Sequence, residues 1–163
     1  MTDRPITRAR RGGYVLRVAV EERQLISRLL AELRMLLVQP PEGDPADGPT
    51  ARLFPTVHPD DAVQEAEYQR LMRDELVASR LEAINIVDAK LGEPGRKVTF
   101  DEEQLVAFMQ AVNAARLVLG TLLDVSEDDD SGPDDTPVGP ETHLYHYLSW
   151  ILDSAVTALS DGT

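Results

Sequence analysis

The run from Thr99 to Asp124 constrains this chain most, because Leu105, Phe108, Met109, Val112, Leu119 and Leu123 recur at three- and four-residue steps. Only a helix puts such a series on one face. Thr99 and Glu102 have the spacing of a capping box, and the acids at 101 to 103 suit the positive end of a helix. Arg116 falls inside the apolar stripe. A guanidinium there must snorkel or meet a carboxylate, since an unpaired buried charge is very costly. The spacing therefore predicts that Arg116 ties this helix to the preceding one through a carboxylate between Asp60 and Glu75. Breaking such a pair by Arg116→Ala would cost about 3–5 kcal/mol.

Three further segments read as helices. Between Val20 and Val38, Leu25, Ile26, Leu29, Leu30, Leu33, Leu36 and Leu37 form one apolar face with Arg23, Glu32 and Arg34 largely off it, and Pro40-Pro41 ends the run. A long helix is predicted from about 59 to 91, with Pro59 in its first turn, where a missing amide hydrogen is harmless. Its stripe Arg73, Val77, Arg80, Ile84, Val87, Leu91 mixes two arginines with four aliphatics. The last helix spans about 141 to 159, with Leu144, Leu148, Ile151, Ala155 and Leu159 on one face and Trp150 beside it. Before these, Ile6, Arg8, Arg10 and then Tyr14, Leu16, Val18 alternate on either side of Gly12-Gly13, the pattern of a small hairpin. Lys97-Val98-Thr99 can add a short strand. The expected architecture is mainly α: one domain over 1–163, a four-helix bundle-like fold with a small N-terminal β element. Helices are placed near 20–38, 59–91, 100–124 and 141–159. The Pro-, Gly- and Asp-rich stretch 40–49 reads as a mobile loop, and the acidic stretch 126–140 as disordered.

Charge is unevenly spread in a chain of net charge −13. Residues 1–38 hold eight basic and four acidic residues; the remainder holds eight basic and 25 acidic. Most of the surface should repel phosphate backbones, which argues against direct nucleic-acid binding. The N-terminal arm, with Arg4, Arg8, Arg10 and Arg11, is the place where nucleic acid or an acidic partner could touch. The plainer reading of that arm is an edge strand blunted by charge. With no cysteine, disulfides, thiolate metal sites and thiol nucleophiles are excluded. No apolar run approaches the ~18 residues of a membrane span, and no apolar signal core opens the chain, so a cytoplasmic protein away from the membrane is expected.

Catalytic signatures are missing. The acidic loop counted from Glu127 puts Gly132 at position six but Val138 at twelve, where an EF-hand needs Glu. His143 and His146 share a helix face but have no third ligand in view. His58 before Pro59 reads as turn chemistry. There is no nucleophile elbow, phosphate-cradling glycine loop or helical zinc motif. The expectation is a non-enzymatic protein without cofactor or metal. Arg73, Arg80 and Arg116 could form an anion pocket, since guanidinium groups bind carboxylate or phosphate with two parallel hydrogen bonds. The competing expectation pairs them with Asp60, Asp61, Glu67, Asp74 or Glu75.

Several pieces of the chain, Arg52-Leu53-Phe54-Pro55, Asp60-Asp61, Glu67-Tyr68, Arg73-Asp74-Glu75-Leu76, Arg80, Asn113 with Arg116-Leu117-Val118-Leu119-Gly120, and Tyr147-Leu148-Ser149-Trp150, resemble an actinobacterial domain-of-unknown-function family. That family includes the actinomycete oxidative stress regulator and is often encoded beside the Clp adaptor ClpS. The resemblance runs from about Val15 to Leu159 and implies a cytosolic regulatory or adaptor protein acting on a protein partner. It marks Arg52, Phe54, Pro55, Asp60, Asp61, Arg73, Arg80, Asn113, Arg116 and Trp150 as interaction or structural candidates. Thiol switching, on which the redox-sensing branch relies, does not carry over to a chain without cysteine. A small-anion or metabolite binder using the arginines is the alternative, and a homodimer is left open.

Overall fold

A computed structural model describes residues 4–39, 48–127 and 139–161. Strand β1 (Ile6–Arg8) pairs antiparallel with β2 (Tyr14–Arg17), and β2 with β3 (Lys97–Phe100), giving the order β1-β2-β3. Helices α1 (Val20–Val38), α2 (Ala62–Leu91), α3 (Glu102–Glu127) and α4 (Pro140–Ser160) build the rest, with a 3-10 turn at Ala51–Leu53 before α2. Mainly α, four helices and a small β element is the architecture expected from periodicity. The hairpin forms as read, because Gly12 and Gly13 take φ of 96° and 78°, a region that favours glycine.

α3 forms the central contact, packing on both α2 and α4. Leu105, Phe108 and Val112 are fully buried, and Phe108 meets Phe100 of β3 at 5.3 Å between ring centroids. By length and composition Glu102–Leu123 qualifies as a membrane-crossing helix, where none was expected; half of that window is buried within the fold. A bundle's core helix passes the same test for a different reason, since its apolar face is covered by its neighbours.

Several boundaries differ from the sequence reading. The cap of α3 is Asp101, not Thr99: Gln104 N–H donates to Asp101 Oδ1 at 2.7 Å and Asp101 N–H to Gln104 Oε1 at 2.9 Å. Thr99 is committed to β3, which wins because Val98 and Phe100 bury their side chains there. α2 starts at Ala62, after Asp61, whose carboxylate accepts from Val63 and Gln64 N–H. An Asp cap outcompetes Pro59 as the start signal. The stretch read as disordered, 126–140, is helical at its described ends, α3 running through Glu127 and α4 beginning at Pro140. Residues 128–138 of it, with the calcium register, and 40–47 of the proline-rich loop lie outside the described residues.

Arg23 is the largest departure. Read as lying off the apolar face of α1, it is buried, 8% exposed. Its guanidinium donates to the carbonyls of Leu91 (2.7 Å), Glu93 (2.6 Å) and Gly95. The last carbonyls of a helix have no partner inside it and carry partial negative charge. One side chain of α1 thus closes the end of α2 and fixes the turn into β3.

Ser154 of α4, the other buried polar side chain among the described residues, holds β1. Its Oγ accepts from Ile6 N–H and donates to Ile6 C=O, both at 3.0 Å. At Ile6 the outer side of β1 is thereby closed by a helix side chain, while Arg8 at the other end of the strand keeps the exposed charge expected from the sequence.

Candidate functional site

The residues singled out from the sequence gather around the segment 51–61 and the faces of α2, α3 and α4 that it touches. Leu53 and Phe54 insert into the core at 0% and 8% exposure. The segment is then strapped to α2 rung by rung. Arg80 Nη2 donates to Leu53 C=O at 3.2 Å, and the Arg73 guanidinium lies 4.2 Å over the Phe54 ring. Gln69 Nε2 reaches the carbonyls of Phe54 and Pro55 at 3.4 and 3.3 Å. Glu65 accepts from the N–H groups of Val57 and His58. His58 rests edge-on against Tyr68, 6.0 Å between centroids, while its carbonyl accepts from Asp61 N–H.

These contacts explain why the sequence places a glutamate, a glutamine and two arginines at four- to seven-residue steps on one side of α2. They are not the carboxylate pairs expected. Ion pairs seen among the described residues join Arg4 to Asp161 and Lys90 to Glu93, away from this strap. Asp60 is exposed, Asp61 is spent on the cap, and Glu67, Asp74 and Glu75 are exposed to solvent. Burial lowers the pKa of Arg80, whose Nε is buried without a hydrogen-bond partner among the described residues.

Arg116 also departs from expectation. It joins α3 to α4, not to α2: Nη2 donates to Asn113 Oδ1 at 2.9 Å and Nη1 lies 3.4 Å from Ser149 Oγ. Its Nε has no partner among the described residues. Neutral oxygens can take these bonds because the guanidinium is only partly buried. Arg116→Ala should therefore cost about 1–2 kcal/mol, since one of its two bonds is long and the side chain is partly solvated, and not the ~3–5 kcal/mol of a stranded carboxylate. Equilibrium urea unfolding reads this directly.

One turn further along α3, Gly120 faces Tyr145 of α4. A Cβ at Gly120 would stand 2.9 Å from Arg52 Nη1 and 3.1 Å from the Tyr145 ring. A side chain at Gly120 would press on the Tyr145 ring and push aside the Arg52 guanidinium, which reaches this notch from the 3-10 turn. Arg116 and the Gly120 notch that Arg52 reaches thus stand on successive turns of α3, about 6 Å apart along the helix axis.

The Glu65 carboxylate carries a pH consequence. Hydrogen bonds from Gln69 and from the His58 and Val57 amides hold its pKa below the ordinary glutamate value. The folded value lies below the unfolded one, so its contribution is complete above the ordinary value and is lost as pH falls through the lowered one. Amide exchange at Val57 and His58 should accelerate in that acid window while the α3 core amides stay protected.

The remaining candidates lie elsewhere. Trp150 is 43% exposed and leans on Tyr147 at 6.0 Å between centroids. Burial, reinforced by the Glu22 carboxylate, pushes the Tyr147 phenol well above its usual pKa. Arg8, Arg10 and Arg11 are exposed on β1 and the hairpin turn. His143 and His146 are exposed, and no group of three or more metal-ligating side chains occurs among the described residues. Arg23 and Ser154 were missed because their signal is a partner distant in sequence, which spacing along one helix does not reveal.

No curated protein and no solved structure matches the chain. A family model does, over residues 3–159, and it covers the strap, the α3–α4 seam and the sheet together. The chain belongs to the DUF2017 family, a domain of unknown function.

Proposed function

We propose that this chain is a non-enzymatic regulatory or adaptor protein that works through contact with another protein. The observation that supports this best is the first part of α2. No residue from Ala62 to Glu82 is buried, and Val63 and Leu71 are 78% and 64% exposed on its outer side. A helix face with isolated aliphatics set among Glu67, Arg70 and Asp74 has the mixed composition of a partner-binding surface. The strap underneath keeps this helix rigid, which lowers the entropy lost on docking. On the strength of the sequence resemblance, the setting we propose is the cytoplasm of an actinobacterium, in stress or transcriptional regulation and close to the Clp machinery.

The test is affinity capture with the wild-type chain and a Val63→Asp/Leu71→Asp variant. The expected result is one stoichiometric protein captured by the first and lost with the second. Equal capture by both would move the contact away from α2.

A second reading, a small-anion or metabolite binder, is favoured by the Nε groups of Arg80 and Arg116, buried and without a hydrogen-bond partner among the described residues. Guanidinium donors without acceptors are suited to carboxylate or phosphate. Stabilisation of the wild-type protein by millimolar phosphate or citrate, absent in Arg80→Met, would support it.

A further inference from the structure

The three-stranded sheet has one closed edge and one open edge, and its strand pairing fixes the direction of its peptide groups. Arg17 N–H donates to Pro5 C=O and Ala9 N–H to Gly13 C=O, at 2.8 and 2.9 Å. The odd-numbered residues of β2 therefore point their peptide groups at β1, and Tyr14 and Leu16 point theirs at β3. Their partners Phe100 and Val98 face back toward β2. Lys97 and Thr99 must then direct N–H and C=O outward. The same parity sends Ile6 outward on β1, where Ser154 meets it, an independent check on the assignment. No hydrogen bond among the described residues reaches the outward groups of Lys97 and Thr99, and both residues are exposed.

The strands beside this edge carry the reverse of the molecule's charge, although Asp101, Glu102 and Glu103 follow directly on β3. Residues 4–19 and 96–100 hold no Asp or Glu in a chain of net charge −13. On the outer face of the sheet, Arg17 and Lys97 stand opposite each other, Arg17 donates to Thr7 Oγ1 at 2.9 Å, and Arg96 follows. A hollow beside them is lined by Arg17, Val18, Ala19, Glu22, Arg96 and Lys97. Its one acid, Glu22, is occupied by the Ala19 N–H at 2.9 Å.

We propose that the outer edge of β3 receives an extended acidic segment of a partner protein as a fourth antiparallel strand. This inference rests on the protein-contact reading and adds to it a second surface and the chemistry of its ligand. Main-chain hydrogen bonds to Lys97 and Thr99 supply the pairing, and acidic side chains at alternate positions meet Arg17, Arg96 and Lys97. The acidic remainder of the surface repels such a segment, so the edge is where it settles. An oligonucleotide shares the charge but lacks the peptide groups that this edge is shaped to pair.

The experiment is an NMR titration of the full chain with the peptide Glu-Val-Glu-Val-Glu-Val, against Glu-Pro-Glu-Pro-Glu-Pro of equal charge and against oligo-dT. The expected result is at least tenfold slower hydrogen exchange at the Lys97 and Thr99 amides with the valine peptide alone. Thr99→Pro removes an N–H that the folded sheet does not use, as an edge position tolerates, and should abolish the protection. If that variant does not fold, Arg17→Glu/Lys97→Glu serves instead and should weaken binding at least tenfold. Unchanged exchange at Lys97 and Thr99, or equal effects from the proline peptide or oligo-dT, would overturn the proposal. Capture that depends on Val63 and Leu71 would survive that outcome, so the broader reading is tested separately.

Discussion

Replacing Arg23 by Ala should destabilise the protein by roughly 3 kcal/mol, because the Leu91 carbonyl at the end of α2 and the Glu93 and Gly95 carbonyls of the turn beyond it lose a charged donor at once. Each such bond is worth ~1.5–3 kcal/mol when intact, and solvent reaching Glu93 and Gly95 returns part of that. Only the Leu91 carbonyl is bonded in a fully buried setting. For a domain of this size the thermal midpoint should fall by about 6–12 °C. Arg23→Met keeps the apolar stem and removes the donors, so its difference from Ala reports the packing of the stem alone. If Met restored full stability, the carbonyl contacts would be dispensable. The amides of Gly92 and of β3 should exchange faster in both variants, since the turn between α2 and β3 loses the side chain that holds it.

Phe54→Ala should be the other severe change, at ~3–5 kcal/mol, the usual range for deleting a buried aromatic ring. Two effects combine here. The ring leaves a gap in the core next to Leu53, and the Arg73 guanidinium loses the aromatic face it covers. A partly desolvated stacking of this kind is worth on the order of 1 kcal/mol. Phe54→Leu retains most of the buried volume and should recover most of the loss; the part left unrecovered belongs to the ring face. Hydrogen exchange separates a local from a global event: detachment of the strap would free the amides of 51–58 while Leu105 to Val112 stay protected.

The helices were legible because their signal is local. Leu105, Phe108 and Val112 on α3, or Ile26, Leu30 and Leu33 on α1, declare a buried face by spacing alone, and those residues are buried. The hairpin was legible from Gly12-Gly13 for the same reason. What failed was every inference about which charged group meets which partner. Arg116 lies in an apolar stripe, yet its acceptors are an amide and a hydroxyl, and its neighbour is α4 and not α2. Arg23 lies off the stripe of α1 and is nevertheless buried, since what covers it is the turn 91–95. Periodicity reports which side of a helix faces the core; it carries no information on where another segment's carbonyls will end. The motif Arg-Leu-Phe-Pro could be found as a pattern, but its work, one backbone carbonyl for Arg80 and one ring for Arg73, became visible only with α2 alongside.

The closure of β1 by Ser154 has a consequence for self-association. Identical molecules can join sheet edge to sheet edge without end only when each offers two free borders, because every added copy must leave a new one behind. With Ile6 engaged by Ser154, this sheet offers a single border, and growth stops at the first strand added. Ser154→Ala leaves the Ile6 amide and carbonyl unmet, which should cost about 2 kcal/mol. Because Ile6 stays fully buried beneath α4, the loss should be read as lower stability, with sedimentation of the variant at rising concentration still free of a ladder of species.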